Sequence, residues 1–437
     1  MALFSRSVPK DDVIIRGARV VDPVQAIDEA LDVVVDRGVV SRIAPAGASL
    51  EPNGHRVFDA EGLVLAPAFV DPHVHLRTPG REDEEDIASG TAAAAAGGYC
   101  AIFAMPNTDP VVDSAAVLGD LVDRARAEAE VPVGFLAAIT KRQEGGELTE
   151  MAELADRGVA GFSDDGKPVV APALMRRALQ YNAAVGRPVA VHCEDPTLSR
   201  GGHMHEGPVS AELGFGGYPS IAESVMVGRD LALAAYEDAP LHLLHLSARE
   251  SVEQLRLAQA AGARVTGEVT PHHLCLTDDA VRSLDPNVKM NPPLRGPDDR
   301  RVLLEAVRDG TIGSVATDHA PHARHEKEVP FESAPFGVTG LETAFSALYT
   351  SLVEPGLLPL VTLLERMSAG PARVYGLDVP RIATGATANL VLLDLEATWD
   401  VEETVFRSKS VNSWLLGQSL RGMVAATIAD GRLVYAA

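Results

Sequence analysis

The run FVDPHVHLRTPG, residues 69–80, begins as an apolar strand and ends on two histidines one residue apart, followed by an arginine. In an extended strand successive side chains point to opposite faces, so His73, His75 and Arg77 share one face. A buried strand that delivers three polar groups to one spot reads as the wall of a site. Extended upstream, the run becomes LVLAPAFVDPHVHL (63–76), the first of eight strand candidates. The others are YCAIFAMP (99–106), VPVGFLAAI (131–139), GVAGFSDDG (158–166), RPVAVHCE (187–194), PLHLLHLS (240–247), ARVTGEVTP (263–271) and IGSVATDHAP (312–321). Amphipathic or alanine-rich stretches separate them, among them DSAAVLGDLVDRARAEAE and SARESVEQLRLAQAAG. Strand and helix alternating eight times predicts an α/β fold, a closed (β/α)8 TIM-like barrel.

The flanks differ. Short strand candidates with turn signals, such as DVIIRGARVVDP and ALDVVVDRGVVSRIAPA before the barrel and ANLVLLDL and VAATIADGRLVYA after it, predict a small β-sandwich domain built from both ends. The expected division is residues 1–66 and 376–437 for the small domain and 67–375 for the barrel. The glycine-rich segment 201–219 is long for a βα loop and reads as either a lid or an ordered surface loop.

The chain has 437 residues and a formal net charge of −23, with no basic cluster to offset it, which argues against nucleic acid as a partner but not against a small anionic substrate in a cleft. Its three cysteines, Cys100, Cys193 and Cys275, are too few and too scattered for a disulfide framework. Neither a signal peptide nor a membrane span is evident, so the expected location is the cytoplasm.

Barrel enzymes gather their chemistry at the C-terminal ends of the strands. Here the first strand ends in His73 and His75, the fourth in Asp164 and Asp165, the fifth in His192, the sixth in His245 and the eighth in Asp318. Imidazole nitrogens and carboxylate oxygens suit zinc and similar ions. Taken singly, each has a plainer explanation: a hydrogen-bonded histidine, a turn for SDDG, a cap for Asp318. Five strand ends on one rim make coincidence a poor account, and the set suffices for two metals. His55, His203, His205 and His242 read as non-ligands, the last because its spacing from His245 turns it to the opposite face of a regular strand. His272 and His273 are ambiguous.

DPHVHLRTPG and ATDHAPHARHEK resemble the two signature segments of dihydroorotases in the amidohydrolase superfamily. FSDDG, VHCED, KMNPPLR and APFGVTGLE match further blocks of the long bacterial, class I type. The resemblance spans nearly the whole chain. It implies reversible interconversion of N-carbamoyl-L-aspartate and L-dihydroorotate in pyrimidine synthesis at two Zn2+ ions bridged by Asp165 and a hydroxide. On it, His73, His75 and Asp318 hold one ion and His192 and His245 the other, with Asp164 as the second choice for the bridge; Lys167 is not at the matching place. Asp318 would carry the proton between the hydroxide and the ring nitrogen. Arg77, Asn107 and His322 would receive the substrate carboxylate, Asn291 would touch the ring, and the backbone at Phe336 and Gly337 would read its amide edge, beside His75. A homo-oligomer and an association with aspartate carbamoyltransferase fit the resemblance without being stated by the sequence. The rivals are a hydantoinase-like or allantoinase-like cyclic amidase, against which SDDG and Arg77 argue, and a non-catalytic dihydroorotase-like subunit, against which the filled ligand positions argue. VNSWLLGQSLRG (411–422) drifts from the family pattern, a departure expected to affect only small-domain packing.

Overall fold

The extended run 63–76 divides at Ala68, whose N–H still donates to the Asn389 carbonyl at 2.9 Å, whereas the Phe69 N–H donates to the Gly98 carbonyl at 2.9 Å in the barrel. Residues before it belong to one sheet and residues after it to another, so the single strand expected over 63–76 is two strands. The computed structural model describes residues 2–437. In chain order, β1 (Val13–Asp22), β2 (Ile27–Asp36), β3 (Val39–Pro45), β4 (Arg56–Asp59) and β5 (Val64–Pro67) come first, then β6 (Phe69–Val74), β7 (Tyr99–Ala104), β8 (Val133–Ala137), β9 (Gly161–Ser163) and β10 (Val189–Val191). The short pair β11 (Met204–His205) and β12 (Gly217–Tyr218) follows, then β13 (Leu241–Leu243), β14 (Val265–Val269) and β15 (Ser314–Val315), and finally β16 (Leu390–Asp400), β17 (Ser419–Ala429) and β18 (Arg432–Ala436).

Among the described residues, β6 to β10 and β13 to β15 form one eight-stranded parallel sheet in sequence order. Beyond β15 the chain continues to His319, which bridges Val74 in parallel and whose carbonyl accepts the His75 N–H at 2.8 Å, closing the sheet into a (β/α)8 barrel. Asp71 reinforces the seam by accepting from the Thr317 N–H and hydroxyl. Its burial pushes its carboxyl up to about 7.

The second sheet runs β18-β17-β16-β5-β1-β2-β3, with β4 alongside β1, and forms the β-sandwich part of the fold. Side-chain alternation explains how it serves two cores at once. Leu65, Leu390 and Leu392 enter the small apolar cluster with Val13, Val33 and Ile428, whereas Val64, Ala66, Val391 and Leu393 join the barrel's cluster. The glycine-rich segment folds as the β11–β12 ribbon with a helix at Pro208–Leu213. Met204 and Val209 pack with Met290, Leu294 and Phe331, which makes it an anchored cover of the rim. No helix among the described residues is long and apolar enough to cross a membrane.

Candidate active site

Asp165 stands at the centre of the barrel's C-terminal rim. Its Oδ2 lies 3.6 Å from His73 Nε2 and 3.5 Å from His75 Nε2, and its Oδ1 lies 3.6 Å from His192 Nδ1 and 3.5 Å from His245 Nε2. Asp318 Oδ1 approaches His75 Nε2 at 3.1 Å and His73 Nε2 at 3.3 Å. Two triads of potential ligand atoms, His73–His75–Asp165 and Asp165–His192–His245, therefore share one carboxylate, and all five residues are buried. His73 Nε2 and Asp165 Oδ1 find no hydrogen-bond partner among the described residues. Orphaned buried donor atoms of nitrogen and oxygen, converging from several strands, fit a divalent metal.

The charge balance points the same way. Burial opposes ionisation of both acids, yet the surrounding imidazoles hold the carboxyls of Asp165 and Asp318 below the usual carboxylate range. Burial pushes the His75 imidazole down, towards the neutral form a metal needs. His73 is raised, because Asp318 and Asp165 outweigh its burial. A bound cation would supply the positive charge that these acids otherwise draw from a proton.

Backbone and outer contacts aim the side chains of the cluster. His245 and Asp318 have φ of 30° and 48°, and Arg77 has 55°. Left-handed conformations of this kind cost roughly 1–3 kcal/mol each and persist where the surroundings impose them. At His245 the twist corrects the sequence expectation. His242 does not turn to the opposite face: its Nε2 meets Glu268 Oε2 at 2.9 Å inside the barrel, and Glu268 Oε1 accepts from His73 Nδ1 at 2.9 Å. On the other side His192 Nε2 donates to Glu194 Oε2 at 2.8 Å, while His245 Nδ1 is without a partner among the described residues. Both glutamates are held down to about 2 against the effect of burial by their histidine partners. They hold the clustered histidines from outside, and sequence reasoning missed them. Glu194 follows His192 by two residues, and Glu268 is a lone acid on a strand interior, so period-two spacing was the available signal.

Asp164 is turned away, accepting from the Ile139 and Thr140 N–H groups at 2.8 and 3.1 Å, so it lies outside both triads. Lys167 is exposed. His273 lies between Thr270 Oγ1 and the Pro292 carbonyl, and His272 is buried beside it; neither joins a triad. His55 pairs with Asp36 in the small domain, His203 approaches Lys289 Nζ at 3.5 Å, and His205 approaches Arg295 Nη1 at 3.3 Å. Cys193 Sγ points towards Asp230 on the helix Ile221–Glu237, away from the cluster.

A cavity of about 190 Å3 opens above the cluster, and Arg77, Asn107, Asn291, His322, Phe336 and Gly337 all line it. Their contacts are more constrained than the sequence implied. Arg77 Nε meets Glu84 Oε2 and the Pro321 carbonyl, each at 3.0 Å. Asn107 uses its amide on the cluster, its Oδ1 accepting from His75 Nδ1 at 2.8 Å and its Nδ2 donating to Asp165 Oδ2 at 3.2 Å. Asn291 Nδ2 donates to Glu194 Oε2 at 2.9 Å. The Phe336 carbonyl accepts from His322 Nε2 at 2.8 Å, and the Gly337 N–H donates to the Lys289 carbonyl at 2.9 Å.

Comparison with known proteins agrees with this geometry. A Dihydro-orotase-like family model matches residues 62–251. Dihydroorotase from Geobacter metallireducens is 45% identical over 424 residues, covering 97% of this chain and 99% of that protein. Dihydroorotase from Geotalea daltonii is 46% identical over 425 residues, covering 97% and 99%. The solved structure of L-hydantoinase (dihydropyrimidinase) from Arthrobacter aurescens superposes with a TM-score of 0.87 at 26% identity, over 97% of this chain and 96% of that one. Barrel, flanking sheet and histidine–aspartate rim thus define a hydrolase of the amidohydrolase superfamily. Within it, the chain belongs to the dihydroorotase family.

Proposed function

We propose that the chain interconverts N-carbamoyl-L-aspartate and L-dihydroorotate at a pair of zinc ions, His73, His75 and Asp318 serving one and His192 and His245 the other, with Asp165 between them. The observation that carries this reading is the juxtaposition of the shared-carboxylate cluster with a small cavity walled by a guanidinium. Bound zinc would supply a nucleophile near neutral pH and polarise the carbonyl under attack. The chain's own residues supply the rest. Asp318, ionised and within reach of both His73 and His75, takes the nucleophile's proton and returns it to the leaving ring nitrogen, and reverses both steps in synthesis. Arg77 and His322 face the substrate carboxylate, Asn291 its ring, and the Phe336–Gly337 backbone its amide edge. Asn107 acts through His75 and Asp165 as well as from the cavity wall.

The same reading places the enzyme in the long bacterial class I, in pyrimidine synthesis and in the cytoplasm. A second copy of the chain and aspartate carbamoyltransferase are the partners to examine by light scattering. The hydantoinase likeness keeps a broader cyclic amidase as the second reading. Assays in both directions, with hydantoin and allantoin as competitors, separate the two. Turnover of dihydroorotate is expected to exceed that of the others, to vanish on chelation and to return with zinc. Equal turnover of hydantoin, or activity indifferent to chelation, contradicts the proposal.

A further inference from the structure

Between β16 and β17 the chain leaves the small domain and crosses to the barrel rim. The expectation that the unusual stretch near residue 411 concerns small-domain packing alone is therefore corrected. Arg407 and Ser408 donate backbone N–H groups to the Glu342 carboxylate at 2.7 and 3.2 Å. The Ser408 hydroxyl and the Lys409 N–H are taken up by Glu85, which also meets His319 Nε2 at 3.1 Å, one residue from Asp318. Ser410 Oγ donates to the Glu84 carbonyl at 2.7 Å, and Glu84 is the carboxylate that holds Arg77.

Asn412 ends this path inside the protein, 5% exposed. Its Oδ1 accepts from the His322 N–H at 3.0 Å, and its Nδ2 donates to the carbonyls of Ala320 and Gly337 at 3.1 and 3.2 Å. Its own carbonyl accepts from the Thr339 N–H at 3.0 Å. Ala320, His322 and Gly337 all line the cavity, on two segments that run side by side through the parallel bridge of His319 and Val338. The segments approach closely: a Cβ on Gly337, whose φ is 124°, would lie 2.8 Å from the Ala320 Cβ and 3.1 Å from His322 Nε2. One side-chain amide thus adds three bonds to a contact that otherwise rests on the Ala320 N–H to the Val338 carbonyl at 2.9 Å and His322 Nε2 to the Phe336 carbonyl at 2.8 Å.

We propose that Asn412 is a positioning residue for the substrate pocket, fixing how the Ala320–His322 segment lies against Gly337 at the cavity edge and so coupling the small domain's crossing segment to substrate binding. The inference rests on the functional reading above. Asn412 touches neither the histidines nor the acids of the cluster, so its removal acts on binding and leaves the chemistry in place.

The test is steady-state kinetics with dihydroorotate on Asn412→Ala and Asn412→Asp, together with metal content and melting temperature. For Asn412→Ala, KM is expected to rise about tenfold, with kcat within about threefold of wild type and metal content unchanged. Asn412→Asp, of the same size, sets a carboxylate oxygen against two carbonyls and is expected to raise KM further. Lys409→Met loosens only the surface tie to Glu82 and Asp86 and keeps KM at the wild-type value. An unchanged KM in both residue-412 variants overturns the proposal. So does a common loss of metal, fold or kcat in both, which assigns Asn412 to the frame instead. Wild-type protein that turns over neither dihydroorotate nor N-carbamoyl-aspartate refutes the functional reading, whereas an active wild type with KM indifferent to residue 412 refutes only this inference.

Discussion

His73 and His75 come from one strand, two residues apart, and the pleat alone places their rings side by side. His192 and His245 come from two neighbouring strands, and their meeting depends on a positive φ at His245. The first pair is braced on both rings, by Glu268 and Asn107. The second is braced on one, by Glu194. Two pockets with the same kinds of donor are thus unequally prepared: one is a product of regular geometry, the other of local strain, one ring-bracing carboxylate and a backbone tie from the His245 N–H to Glu268 at 3.3 Å.

Asp165 is what the pockets have in common, so its loss should erase the difference. Asp165→Ala is expected to lower turnover by about 10^4 or more and to release metal from both pockets, as read by elemental analysis. One full equivalent of retained metal would mean that the better-braced pair closes a site unaided. Asp318→Asn comes next. Asp318 belongs to the first pocket geometrically but carries the proton in the mechanism proposed above, and its loss should cost about 10^3 or more in kcat while metal content stays near that of wild type. Surviving activity would leave the proton carrier unassigned.

The smallest and most discriminating test removes the braces. Losing a carboxylate behind a metal-bound imidazole typically costs about 10–100-fold in affinity. Glu194→Gln is expected at the upper end of that range, because no side chain among the described residues braces Nδ1 of the His245 ring. Glu268→Gln is expected at the lower end, because His75 and Asp318 remain in place. Competition with a chromogenic chelator reads both, and equal or reversed losses would break the comparison.

This asymmetry also marks how far the sequence could be read. The barrel was legible because strand and helix periodicities alternate along the chain, and His73 and His75 because period two has one outcome. His192, Asp165 and Asp318 were legible as ligand types at strand ends. Which of Asp164 and Asp165 faces inwards turns on the Ile139 and Thr140 N–H groups that take up Asp164, partners some 25 residues earlier that residue type alone does not reveal. His242 was misplaced because parity counting assumes a regular strand, and the backbone at His245 is not regular. Asn412 had no local signal: its partners lie some 75 to 92 residues earlier in the chain.

The split at Ala68 reaches into the life history of the molecule. β5 pairs with β16, two segments separated by most of the polypeptide, while β6 begins the barrel one residue past Ala68. During synthesis the barrel's first strand emerges early, but its immediate neighbour must wait for a partner made near the end. Until then a row of unpaired backbone groups stays open beside the nascent barrel, a place where a chaperone, or another unfinished chain, would find a ready edge.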